Sequence, residues 1–311
     1  MNSIEERTPA PTTAEGGDVE SEGSPFRVFM RTFAENKLAV AGAVLLVLLV
    51  LFCWGGPVVY HYANGQLILP DGTKGTNASP GPGRPLGTDG SGNDILGRLM
   101  RGGQVSLEIG FIVGLVSTVF GLIIGAVSGF FGKWVDVIIM RLVDIGFSIP
   151  VVFLVIYIAA VERKTTETLL VLILSAISWL VPARLIRGET LSLRTREYVQ
   201  AMRTMGGGSA RAITRHIIPN AIGTIVVTVT FQVADAIILL STLQYFGFGL
   251  PPSIPTWGGM LNDGIQSQSA VANGFWWEVY PAGIMIILAV IAVNFIGDAL
   301  RDAFEVRLQK R

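Results

Sequence analysis

Residues 196–209 read Arg196-Glu197-Tyr198-Val199-Gln200-Ala201-Met202-Arg203-Thr204-Met205-Gly206-Gly207-Gly208-Ser209, and the chain runs on to Arg215-His216-Ile217-Ile218-Pro219-Asn220. This polar, basic island stands between two long apolar runs, and the glycine triplet divides it into two short helical pieces. Tyr198, Met202 and Met205 recur at helical spacing on the first piece. Ser209 stands as N-cap of the second, where Ile213 and Ile217 fall on one side and Arg211 and Arg215 on another. A pair of short amphipathic helices beside a membrane suits the docking of a partner.

Half of the 311 residues are apolar, 15% are charged and mean hydropathy is +0.56. No soluble core needs that proportion, so the chain reads as a polytopic membrane protein. A formal net charge of zero gives no reason to expect a nucleic-acid partner, whereas the local placement of Lys and Arg bears on orientation. The single cysteine, Cys53, lies in an apolar run, which excludes an internal disulfide and a multi-cysteine metal cluster. Residues 1–25 carry Glu5, Glu6, Glu15, Asp18, Glu20 and Glu22 among Pro, Thr and Gly, and are expected to form a disordered cytoplasmic tail. No signal peptide is expected, because the first apolar run begins only near Leu38.

Residues 26–55 are assigned to a first transmembrane region, with Arg27, Arg31 and Lys37 ahead of the apolar run that ends near Trp54. Basic residues before the span place the N-terminus in the cytoplasm. Residues 56–103, with Asp71-Gly72 and Pro80, Pro82 and Pro85, read as an extracytoplasmic loop. Residues 104–300 form a core membrane domain, with spans at about 105–131, 135–160, 167–187, 221–246 and 277–297. The glycines of 102–129 mark the second span as one that packs centrally. Only Gly132-Lys133-Trp134 separates spans two and three, and Glu162-Arg163-Lys164 lies between three and four. The loop 188–220 is the most basic part of the chain, hence cytoplasmic, and a basic tail over 301–311 places the C-terminus inside.

Several of these segments are similar to a known family. Gln200-Ala201-Met202, Gly206 and Ile218-Pro219 occupy the places of the "EAA" coupling loop of ABC-importer permeases. Leu86-Gly87-Thr88-Asp89, with Gly97-Arg98 further on, resembles the segment ahead of the second span in the dipeptide/oligopeptide/nickel permeases; Asn93 stands where that family usually has Arg. Phe246 to Asp263 and Asn294 to Asp302 look like the same family, so the likeness covers roughly residues 27–311. It implies the C-type membrane subunit of a type I importer: an all-α integral membrane protein with six transmembrane helices and a cytoplasmic pair of coupling helices.

The resemblance further implies import of di- or oligopeptides across the plasma (inner) membrane of a prokaryote. It implies a second homologous permease, two ABC ATPase subunits and an extracytoplasmic peptide-binding protein as partners. Tyr198, Val199, Ala201, Met202 and Met205 would be buried against an ATPase subunit, Gly206 would supply the turn and Pro219 the stop. The family's Glu is Gln200 here, so Glu197, three residues earlier on nearly the same helix face, is expected to supply the charge. No cofactor is expected in this chain: ATP and Mg would belong to the ATPase subunits. Around Gly132-Lys133-Trp134 a P-loop would need Gly at Val127 and a hydroxyl residue at Trp134.

Asp136, Arg141, Asp144 and Asp298 read as structurally paired groups near span ends. Asp235 lies deeper; it either lines the pathway, where it would meet a peptide's amino group, or bonds a neighbouring helix. Leu240 stands where many relatives carry an acid. Trp257, Trp276 and Trp277 fit an interfacial belt. His61 and His216, the only histidines, fall on opposite sides of the membrane and make no metal or catalytic site. Alternatives within the same architecture are nickel chelates or another small solute. A proton-coupled secondary transporter, with inverted repeats and interrupted helices, is a rival, and an intramembrane enzyme is disfavoured for want of a nucleophile and base.

Overall fold

The computed structural model describes residues 33–60, 75–161, 166–266 and 274–309. The expectations for the acidic tail at 1–25, Arg27 and Arg31, His61, Asp71-Gly72, Glu162-Arg163-Lys164 and the last two residues lie outside the described residues. Four helices are long and apolar enough to cross a membrane, and six crossings result if each of two bent helix pairs counts as one.

Helix α1, Lys37–Val50, starts at Asn36, whose Oδ1 accepts from the amides of Leu38 and Ala39 at 3.0 and 3.3 Å. It passes through a π turn, Leu51–Gly55, into Gly56–Val59, giving a span of 23 residues. Gln104 Nε2 donates to the Cys53 carbonyl in that turn at 2.7 Å, tying α1 to the next helix.

Helix α2, Ile95–Phe131, is capped by Asp94, which accepts from Gly97 N at 2.8 Å. It begins some ten residues before the expected position of 105, so the segment between α1 and α2 ends at Asp94 rather than at 103. The reason lies in Gly102 and Gly103: they seat the first turns of α2 against the backbone of Thr256 and the side chains of Cys53 and Trp257. Further along, Gly110 and Gly114 face Ile237 and Val233, while Gly121, Gly125 and Gly129 face residues 182–190. One helix therefore packs closely on two neighbours, as its glycines suggested.

Gly132, at φ +62°, is the single turn residue between α2 and α3, Lys133–Ser148. Ile149 is extended because it precedes Pro150, and the chain bends by 82° into α4, Val151–Val161. The third span is thus broken rather than continuous. The fourth also bends, by 43°, between α5, Glu167–Ser178, and α6, Leu180–Leu193. Pro182 cannot donate to the Ser178 carbonyl, and Gln232 Nε2 takes that acceptor instead at 2.9 Å. Helix α6 runs to Leu193, so the first residues of the expected loop at 188 are still helical.

After the coupling segment comes α9, Ile222–Tyr245, then α10, Trp257–Gln266, and α11, Trp276–Gln309. Helix α11 extends through most of the expected tail. Trp257 corrects the belt expectation: it is 0% exposed, and its Nε1 donates to the Leu99 carbonyl at 2.9 Å. Around it gather Cys53, Leu99, Ile237, Ala289 and Ala292, a core shared by α1, α2, α9, α10 and α11. Leu170, Leu174, Val113 and Leu240 form a second core between α2, α5 and α9. Trp276 is exposed.

Candidate functional site: coupling helices below a cleft

Helix α7, Glu197–Thr204, and helix α8, Ser209–Ala212, are the two short pieces read from the sequence. The junction is built on backbone bonds. Gly207 N donates to Met202 O at 3.0 Å and Gly206 N to Arg203 O at 3.1 Å, the paired bonds of a Schellman close, with Gly206 at φ +83°. A Cβ on Gly207 would collide with the Met202 sulfur, whereas Gly208 has open space around it. Gly208, extended, is the N-cap of α8, and Ser209 is the first helical residue, which corrects its expected capping role.

From α8 the helix continues through a π turn, Ile213–Ile217, and Ile218–Asn220 before breaking at Ala221. Pro219 is therefore a joint inside a helix and not its stop. The i+5 bonding of the π turn accommodates a residue without an amide hydrogen.

Two faces separate on α7. Val199, at 0% exposure, and Met202 turn inward. Met202 joins Phe130 of α2, Leu193 of α6, and Ala212, Ile217 and Ala221 in one apolar cluster. These two residues hold the coupling helix to its own chain, which corrects the expectation that they face an ATPase. Glu197, Tyr198, Ala201 and Met205 remain exposed on the other side, Met205 at 81%. Glu197, Ala201 and Met205 recur at i, i+4 and i+8, with Tyr198 beside them, which puts them on one helical face. Gln200 is turned backward: its Nε2 donates to the Thr195 carbonyl at 2.9 Å.

Other contacts fix this unit that sequence reasoning did not foresee. Arg194 Nη1 donates to the Gly129 carbonyl at 2.9 Å, satisfying the C-terminal end of α2. Arg203 lies 5.0 Å from the centroid of the Phe130 ring. The Tyr198 and His216 rings, 6.2 Å apart, bridge α7 and the π turn. A legible signal existed in the Phe130-Phe131 pair directly before Gly132, which is too bulky for a mere turn.

Above the joint, α6, α9 and the end of α11 enclose a cleft of about 570 Å³. Glu189, Pro219, Asn220 and Arg301 are among its lining residues, and so are Phe231 and Asp235. Asp235, near the middle of α9, is exposed to this space, and among the described residues its carboxylate makes no hydrogen bond or ion pair. A carboxylate facing lipid at that depth would cost roughly 2.5–3.5 kcal/mol, so a wet cleft is its natural surrounding. Leu240, by contrast, is buried in the second core.

The remaining charges divide as expected in part. Arg187 grips both oxygens of Asp136, through Nε and through Nη2 at 2.6 Å, and Ser128 Oγ donates to the same carboxylate at 2.6 Å. Arg184 pairs with Asp144 at 2.7 Å. Arg141 and Asp298 are exposed, without an ion pair among the described residues.

In the segment ahead of α2, Asp89 accepts from the amides of Ser91 and Asn93 at 2.9 and 2.8 Å, and Asn93 Nδ2 donates to it at 3.0 Å. Arg98 joins Asp89 to Asp263 of α10, the latter at 2.9 Å. Asn93 thus closes the loop over Asp89, and Arg98 fastens that loop to the bundle.

Residues 119–310 match the model of the binding-protein-dependent transport system inner membrane component, a stretch that spans both the coupling helices and the cleft. The chain belongs to this family. Residues 24–80 of the permease also match the N-terminal transmembrane domain of oligopeptide transport permease C. The chain is 33% identical over 316 residues to the oligopeptide transport system permease protein OppC of Bacillus subtilis, covering 100% of both chains. It is 38% identical to OppC of Escherichia coli strain K12 over 279 residues, 88% of this chain and 89% of that one.

Membership makes this permease a multi-pass inner-membrane component of an ABC transport system, working with a binding protein and with ATPase subunits in which hydrolysis takes place. The bent third and fourth spans carry the interrupted helices a secondary transporter would have, but here they belong to an ABC permease.

Proposed function

We propose that this permease imports peptides, forming half of a translocation pathway with a second, homologous permease. Two ATPase subunits bind on the cytoplasmic side and an extracytoplasmic binding protein delivers the peptide. Both termini lie in the cytoplasm, in keeping with the basic residues that flank the first and last spans. The peptide cargo rests on the likeness to OppC proteins over most of the chain.

One observation carries the mechanism. Helix α7 buries Val199 and, through Met202, joins a cluster that includes the ends of α2 and α6 and Ile225 at the start of α9, and it leaves Glu197, Tyr198, Ala201 and Met205 exposed. In this reading the free face sits on an ATPase subunit. Closure of the ATPase dimer on ATP pushes α7; the shared cluster passes that displacement to α6 and α9, the walls of the cleft. Pro219, which lines the same cleft, is where the lever meets α9. Alternating access follows if the two subunits rock about this joint.

The test is purification of the permease in detergent together with its ATPase subunits, reconstitution with the binding protein, and measurement of ATP hydrolysis as peptides are added. Stimulation by short peptides supports the cargo; stimulation by nickel chelates alone would replace it. Recovery of the chain without any ATPase subunit would remove the coupling role.

A further inference from the structure

The polar groups on the α9 wall of the cleft are not equivalent. Thr228 Oγ1 donates to the Thr224 carbonyl at 2.6 Å, and Gln232 Nε2 is committed to Ser178. Both side chains thus donate to backbone carbonyls. Asp235 alone presents an ionisable group along this face of α9, one helical turn beyond the aromatic ring of Phe231. Glu189 and Arg301, which line other walls of the same cleft, carry opposite signs.

A carboxylate that makes no hydrogen bond or ion pair among the described residues, one helical turn from an aromatic ring in the same cleft, is arranged to receive a cation. We propose that Asp235 is a cation-recognising residue of the pathway, so that cargo bearing an ammonium or guanidinium group is passed in preference to anionic cargo. This rests on the reading of the cleft as half of the translocation pathway. The resulting substrate class is basic peptides, with acidic peptides disfavoured at the permease itself and not only at the binding protein.

Two measurements on the assembled, reconstituted transporter test it. In the first, uptake of Lys-Ala-Lys and Glu-Ala-Glu is followed at saturating binding protein loaded with each peptide. The wild type passes the basic peptide faster; Asp235→Asn lowers that advantage roughly fivefold, the scale of one charge contact in water-like surroundings. Asp235→Glu retains the advantage.

The second measurement is independent of cargo. A cysteine is introduced by Phe231→Cys, with buried Cys53 silent, and its rates of modification by a trimethylammonium and a sulfonate methanethiosulfonate are compared. Asp235 favours the cationic reagent, and Asp235→Asn brings the rate ratio down by a similar factor. An unchanged ratio overturns the proposal, as does equal loss of both peptides in the first measurement. Absence of all peptide uptake with the charge preference intact would instead overturn the peptide reading and leave Asp235 in its role.

Discussion

The Gln200 side chain donates from Nε2 to the carbonyl oxygen of Thr195 at 2.9 Å, closing the turn that leads into the coupling helix. Related permeases are expected to carry Glu there, and a carboxylate cannot make this bond. The anionic group on the exposed face of α7 is Glu197, which stands in the first turn, where a negative charge also complements the helix dipole. The structural and the electrostatic duties at this site thus fall on different residues.

It follows that Glu197→Gln lowers both recovery of ATPase subunits with the permease and peptide-stimulated hydrolysis. Combining it with Gln200→Glu restores part of the loss. A double-mutant cycle on the stimulated rate measures the coupling between the two positions. Additive losses would show that position 200 cannot take over the charge.

The three glycines of the junction respond differently. Gly206→Ala forces a side chain into the left-handed region and costs about 1–2 kcal/mol at the turn. Gly207→Ala displaces Met202 from its cluster, while Gly208→Ala meets open space and is tolerated. Protease accessibility of the loop, together with stimulated ATP hydrolysis, ranks the variants with Gly208→Ala close to wild type.

The helix pair, its glycine hinge and the crowding of α2 were legible in the sequence, because helical spacing and small residues act locally. Which side of α7 faces the chain was not. Val199 and Met202 are apolar in the same way as Met205, yet both are buried, and part of what covers Met202 is Phe130, far away in sequence. Trp257 shows the same limit: an indole near a span end fits a belt by composition, but Gly103 and Leu99 provide a slot for it. The spans at 135–160 and 167–187 read as continuous, although Pro150 and Pro182 stand at the breaks; the bends of 82° and 43° depend on how the flanking helices pack.

Trp257 therefore carries more stability than a belt residue would. Trp257→Ala costs about 3–5 kcal/mol, and Trp257→Phe, which loses the bond to Leu99, costs about 1 kcal/mol. Thermal unfolding of the purified complex in detergent distinguishes these from Trp276→Ala, which changes little because Trp276 is exposed.

At the head of α2, burial raises the Asp94 carboxyl above its ordinary value, partly offset by the bond from the Gly97 amide. With the folded value above the unfolded one, the folded state binds more protons between the two. Stability is greatest below the usual carboxylate range and falls as pH rises to the raised value. Asp94→Asn keeps a capping oxygen and removes this slope. Unfolding midpoints at several pH values across that window check it.

The account turns on α7 being held from within by Val199 and Met202 while its other face is covered by an ATPase subunit in the cytoplasm. Single cysteines at positions 205 and 202, probed with a membrane-impermeant maleimide from each side, test this directly. Met205→Cys is predicted to react only from the cytoplasmic side and to be protected when the ATPase subunits are present, and Met202→Cys to stay unreactive throughout. Reaction of Met205→Cys from the outside, or undiminished reaction in the assembled transporter, would contradict it.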